Sequence, residues 1–152
     1  MPSIHALLLP ECVLVNPDAY DKARVIKLLI QTLEAAGKTA NPTLFFHDVM
    51  AREDLSCTGL DCGCAVPHAH TAALEDTVIA AALLKDGIDF SCPDGQPVKL
   101  VFLLAGPEKQ ARLHLKLLSK MARLLHDQAF RETLMRARSA HEFYTLLKDR
   151  EA

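Results

Sequence analysis

The residues of this chain best suited to chemistry are Arg52-Glu53, Thr58-Gly59 and Gly63-Cys64-Ala65-Val66-Pro67-His68, with a further histidine at His114. Each part suits the handling of a phosphoryl group. Gly59 and Gly63 flank a short loop, and glycines let backbone amides turn inward to form an anion-binding concavity. Pro67 fixes its own φ and restricts Val66, so the backbone entering His68 is expected to be stiff and the imidazole presented in one direction. A neutral imidazole nitrogen is a competent nucleophile at pH 7, and a hydrogen bond at the other nitrogen decides which one is free to attack. A phosphoryl group in flight needs cationic and hydrogen-bonding groups around its equatorial oxygens more than it needs an acid or a base. Arg52 offers a fixed charge and forked donors, Thr58 a hydroxyl, and His114 a donor whose protonation can follow the arriving dianion.

Plainer readings compete with these. Arg52, near the end of an expected helix, also complements the helix dipole, and His114 lies on an amphipathic helix where a histidine needs no chemical role. Cys62-x-Cys64 followed by His68-x-His70 supplies ligands that zinc prefers. Zinc sites usually space paired cysteines by two to four intervening residues, however, and Cys62 and Cys64 are separated by only one. No metal and no cofactor are expected. His5, His47, His126 and His141 read as solvated or packing residues.

The elements that must position these residues follow from periodicity. Glu11 to Val15 reads as a short strand, and Asn16-Pro17-Asp18 as a helix start. Ala23, Ile26, Leu29, Ile30 and Leu33 share one face of a helix over Tyr20 to Ala36, which Gly37 stops. Asn41-Pro42 starts a second helix reaching about Arg52, with Leu44, Phe45, Val49 and Met50 toward the core. Ser56 to Gly63 is a loop, Cys64 to Val66 a brief strand, and Thr77 to Leu84 and Val98 to Leu104 are strands buried on both faces, with Asp94-Gly95 turning between them. A long helix over Glu108 to His126 places Leu113, Leu117, Met121, Leu124 and Leu125 on one face, a shorter one follows around Phe130, and Ser139-Ala-His-Glu142 is a capping box for a last helix. Helices before and after central strands imply an α/β architecture, one sheet covered by helices on both faces.

Composition narrows the rest. The chain has 152 residues, half of them hydrophobic and 24% charged, the proportions of one globular domain spanning 1–152. A net charge of -2 with interspersed signs leaves no footprint for nucleic acid. Apolar runs such as Val78 to Leu84 are far short of the roughly 20 residues that cross a bilayer, so no membrane insertion is expected. No export signal is visible, and five cysteines, an odd number, suit reduced thiols in the cytoplasm.

The run Thr-Gly-x-x-x-Gly-x-Ala-x-Pro-His, preceded by Arg52-Glu53 and followed by Leu113-His114-Leu115, resembles the enzyme IIA domain of the bacterial phosphotransferase system, fructose/mannitol/nitrogen-regulatory class. The likeness continues through Asp94-Gly95-Gln96-Pro97-Val98 and covers roughly residues 40 to 150. It implies a single-domain three-layer sandwich whose mixed β-sheet is flanked by helices on both faces, as in the mannitol-type enzyme IIA. It implies a phosphoryl carrier that accepts the group on His68 from a histidine phosphocarrier protein, with His114 the second active-site histidine and Arg52 the phosphate-stabilising cation. Thr58, Gly59 and Gly63 fall at phosphate-binding positions of that pattern. The implied partner beyond the phosphocarrier is a IIB domain that takes the group onto a cysteine, or, in nitrogen-regulatory members, target proteins that distinguish the phosphorylation states. An interaction module that is never phosphorylated is the alternative. The chain departs from the pattern at three positions, with Asp61 where a glycine is common, Cys57 where a serine is common, and His70 where Lys or Arg is common.

Overall fold

The computed structural model describes residues 3–55, 58–60, 62–91 and 94–152. Cys57, Asp61 and Cys92, singled out from the sequence, lie outside the described residues.

A one-turn helix α1 (Ile4–Leu7), which carries no sequence signal, leads directly into strand β1 (Leu8–Val15). Asn16 does not cap a helix. It takes a left-handed φ of 54°, and its side-chain oxygen accepts the amide of Lys85 at 3.0 Å, fastening the end of β1 to the next strand in the sheet. The cap of α2 (Lys22–Ala35) is Asp21, whose carboxylate accepts the Arg24 amide at 2.8 Å. Gly37, at φ 75°, ends that helix. Asn41 opens α3 (Pro42–Leu55) by accepting the Leu44 amide. Phe45 and Val49 are buried and Met50 packs against the core, whereas Leu44 is half-exposed and Phe46 takes the packing position expected for it.

Two very short strands follow, β2 (Cys64–Ala65) and β3 (His68–His70), then the long strands β4 (Val78–Ile88) and β5 (Val98–Gly106). A 3₁₀ turn over Glu108–Gln110 precedes α4 (Ala111–His126), α5 (Gln128–Met135) and α6 (Ala140–Glu151). Ser139 caps α6 by accepting the Glu142 amide at 3.0 Å, one half of the expected box.

The sheet is mixed. β4 is the hinge of the order, pairing in parallel with β1 and antiparallel with β5, while β2 and β3 both run parallel to β5 along its other edge. Val66-Pro67 divides that edge strand in two, because a proline has no N–H to give the ladder. Its carbonyl is still used, accepting the Leu104 amide at 3.0 Å. Every residue from Val78 to Leu84 and nearly every residue of β5 is buried, so both faces of the sheet are covered. α2 and α3 pack together on one side of the elements. α4, α5 and α6 pack in succession as a separate group, with α4 against β5 and α6 against β1. This is the α/β sheet-between-helices arrangement expected from the sequence. Among the described residues, no helix is long and apolar enough to cross a membrane.

Candidate functional site

The edge strand β3 sets the direction of His68. Its register against β5 pairs His68 with Leu104, Ala69 with Ala105 and His70 with Gly106, so the two histidines share one face and Ala69, which is buried, takes the other. α4 packs on β5 and its fourth residue, His114, meets that histidine face. Ring centroids lie 5.8 Å apart for His68 and His114, and 4.4 Å apart for His70 and His114, the latter tilted by 42°. Three imidazoles from two elements therefore converge.

The His68 ring is oriented by its own backbone. Nδ1 lies 2.6 Å from the carbonyl oxygen of Val66. A carbonyl can only accept, so Nδ1 carries the hydrogen and Nε2 is the nitrogen with a free lone pair. Burial lowers the pKa of His68, an effect the Arg52 and His70 charges add to and that the Val66 hydrogen bond and the Glu53 carboxylate oppose. The shift favours the neutral ring at pH 7, the state in which an imidazole nitrogen is nucleophilic. His114 is buried more completely, at 5% exposure. Burial first, then the neighbouring His70 and His68, pushes its pKa down to about 4. Its Nδ1 has no hydrogen-bond partner among the described residues.

The third wall is the last turn of α3, which carries Arg52 and Glu53. Arg52 is half-buried and its charge acts on the His68 ring. Glu53 is buried at 4% exposure, and Thr58 donates its hydroxyl hydrogen to Glu53 Oε1. The other carboxylate oxygen makes no hydrogen bond among the described residues and lies 3.9 Å from Lys22 Nζ, a charge contact too long for a hydrogen bond. That ammonium also sits 5.5 Å above the Phe90 ring.

The sequence-derived residues fare differently. The structure brings His68 and His114 together, and Arg52 bears on them electrostatically. The hydroxyl hydrogen expected at a phosphate in Thr58 is used on Glu53, which makes Thr58 a positioning group for the α3 end. The glycine loop also differs from a simple amide cradle, because the Leu60 amide donates to the Cys64 carbonyl and the Val66 amide to the Thr58 carbonyl. Gly63 alone of the two glycines has a positive φ, 77°, and its carbonyl accepts the amides of Lys99 and Leu100, tying the loop to β5. Gly59 makes an isolated antiparallel bridge to Ala65. Cys64 Sγ is 3.9 Å from the Cys62 carbonyl oxygen, and Cys62 Sγ is 3.8 Å from that of Leu125. Among the described residues, no group of three His, Cys, Asp or Glu side chains is arranged to hold a metal ion. Sequence reasoning missed the parts played by Lys22 and the Val66 carbonyl, neither of which leaves a local signal, and it named His70 only as a departure from the family pattern and as one of the ligands zinc prefers.

Comparison with known proteins gives this geometry a family. Residues 6–150 match the model of the family described as "Phosphoenolpyruvate-dependent sugar phosphotransferase system, EIIA 2". The chain is 37% identical to a nitrogen regulatory protein of Bradyrhizobium diazoefficiens, over 95% of this chain and 94% of that one. It is 35% identical to the fructose-specific EIIABC component of the Bacillus subtilis phosphotransferase system over 90% of its own length, but it spans only 21% of that protein. The crystal structure of the nitrogen regulatory protein IIA-Ntr from Neisseria meningitidis superposes with a TM-score of 0.87 at 31% identity, covering 95% of this chain and 98% of that one. With near full-length agreement in sequence and backbone, the chain belongs to the EIIA 2 family of the phosphoenolpyruvate-dependent sugar phosphotransferase system, a family of phosphoryl carriers.

Proposed function

We propose that this chain carries its phosphoryl group on Nε2 of His68, receives it from a histidine phosphocarrier protein in the cytoplasm, and exposes its phosphorylation state to regulatory target proteins. The observation that carries the site assignment is the 2.6 Å hydrogen bond from His68 Nδ1 to the Val66 carbonyl, which leaves Nε2 unprotonated on a ring held by a β-ladder. The Nε2 lone pair forms the new N–P bond as the bond from phosphorus to the donor nitrogen breaks, and that electron pair returns to the donor. No general base is needed, since the attacking nitrogen has no proton to lose. The Arg52 guanidinium and the His114 ring supply charge and hydrogen bonds to the equatorial oxygens, while Thr58 and Glu53 fix the end of α3 from which Arg52 projects. Residues 1–152 act in this reading as one EIIA 2 unit.

The regulatory output draws its support from the likeness to nitrogen regulatory proteins along almost the whole of both chains. Delivery to the cysteine of a IIB domain is the other output open to this family. Incubation with phosphoenolpyruvate, enzyme I and the phosphocarrier is expected to add one acid-labile phosphoryl group, with a ³¹P signal of Nε2-phosphohistidine. His68→Ala is expected to abolish it. Full labelling of that variant overturns the site assignment, absence of labelling in the parent protein favours an interaction module that is never phosphorylated, and rapid loss of label to an added IIB domain favours sugar delivery.

A further inference from the structure

Between the exposed end of β3 and the first turn of α4, a solvent-facing imidazole lies against a buried one. His70 is exposed, its ring centroid is 4.4 Å from that of His114, and it occupies the same strand face as His68, about 7 Å along the strand. The site already described makes no use of it.

We propose that His70 is a third phosphate-directed residue, which takes one proton from solvent when His68 becomes phosphorylated and so makes retention of the phosphoryl group depend on pH. The inference rests on His68 being the acceptor. The arriving phosphoryl group places a dianion on a face whose two other occupants are imidazoles. Two rings at this separation cannot both be cationic without strong repulsion, so the pair holds at most one added proton between them. Of the two, His114 would have to carry that charge while buried, and His70 carries it in contact with water. His114, with its unpartnered Nδ1, then remains the neutral hydrogen-bonding member.

Among the described residues, the titratable and charged groups acting on this face are His68 on β3, His114 on α4, and Arg52 and Glu53 on α3. The β5 residues opposite, Leu104 to Gly106, bring none. The balance is one N–P bond formed at His68, one broken at the donor, and one proton moved from solvent to His70. The phosphorylated form therefore binds one more proton than the unphosphorylated form, and phosphorylation is favoured as pH falls through the histidine range.

The test measures the equilibrium fraction of phosphoprotein from pH 5.5 to 8.5 with phosphoenolpyruvate, enzyme I and phosphocarrier, for the full chain, His70→Lys and His70→Gln. A lysine keeps its charge across that range, so the ratio of parent to His70→Lys removes the pH dependence of the donors and of the phosphoryl group itself. That ratio is expected to fall with rising pH, by up to about tenfold per pH unit where the proton is linked. His70→Gln is expected to lose phosphoryl retention at low pH while His70→Lys preserves it. Ring ¹⁵N signals of His70 at pH 7 are expected to move from the neutral to the imidazolium pattern on phosphorylation. A flat ratio, or a His70 ring that stays neutral in the phosphoprotein, overturns the role of His70 while leaving His68 as acceptor. Absence of any acid-labile label overturns both.

Discussion

Where the two chain ends meet, the Glu151 side chain is only 1% exposed, and every contact it needs is present. Its carboxylate accepts the amides of Ile4 and His5 at 2.8 and 2.7 Å, the His5 ring at 2.7 Å and the Lys120 ammonium at 2.8 Å. Around His68 the same ingredients, a buried glutamate, histidines and a lysine, are left incomplete: Glu53 Oε2 and His114 Nδ1 have no hydrogen-bond partner among the described residues. A buried polar atom without a partner costs about 1–3 kcal/mol, so it survives where something other than stability is being served. The satisfied cluster is a clasp, whereas the unpartnered His114 Nδ1 belongs to a ring beside the His68 that we propose as phosphoryl acceptor.

The largest effect that separates the two regions is expected at His114. His114→Leu should slow phosphorylation of His68 by about 100-fold, the loss typical of one transition-state donor, read by acid-labile labelling. The same variant should change the acid sensitivity of folding. Above its ordinary value of 6.5 this histidine is neutral in both folded and unfolded chains. As pH falls toward about 4 only the unfolded chain takes the proton, and stability drops. Urea denaturation between pH 6.5 and 4 should therefore show a decline in the parent protein that is smaller by about 2–3 kcal/mol in His114→Leu, where only the part due to His68 remains.

Glu151 should respond in a different window. Its burial pushes the pKa up, but the hydrogen bonds from Lys120, His5 and Ile4 outweigh that and leave it below the ordinary value of a glutamate. A depressed carboxylate stabilises the fold above its unfolded pKa, and the contribution is lost as pH falls through the folded one. Glu151→Ala should cost about 2 kcal/mol at pH 7, remove the stability loss below pH 4.5, and leave labelling of His68 intact. A large fall in labelling for this variant would join the clasp to the site and break the comparison.

Smaller effects sharpen it. Thr58→Val removes the hydrogen bond to Glu53 and should destabilise by about 1–2 kcal/mol, with slower labelling because the end of α3 is less firmly held. Ser139→Ala removes the cap of α6 and should cost about 1 kcal/mol in thermal or urea unfolding, with no change in labelling.

Much of this was legible in the chain itself. The apolar periods of α2, α4, β4 and β5 mark them out, because each buries a face or both faces wherever it packs. The Pro-His motif and its glycines named His68, and Ser139 declared its helix. The elements that escaped, α1 and β3, are too short for a period to register, and each exists through pairing with distant chain: Glu151 holds the amides that begin α1, and β5 supplies the ladder for β3. Likewise Asn16-Pro17 has the composition of a helix cap and is instead taken by the Lys85 amide of a neighbouring strand.

By itself, then, the sequence determined the secondary elements with strong patterns and the side-chain chemistry available, since these depend on residue type and local spacing. The tertiary structure decided which nitrogen of His68 is free, that Thr58 serves Glu53, and that His70 faces His114. Those outcomes depend on distances between segments far apart in the chain, set by the β3–β5 register and by where α4 crosses the sheet.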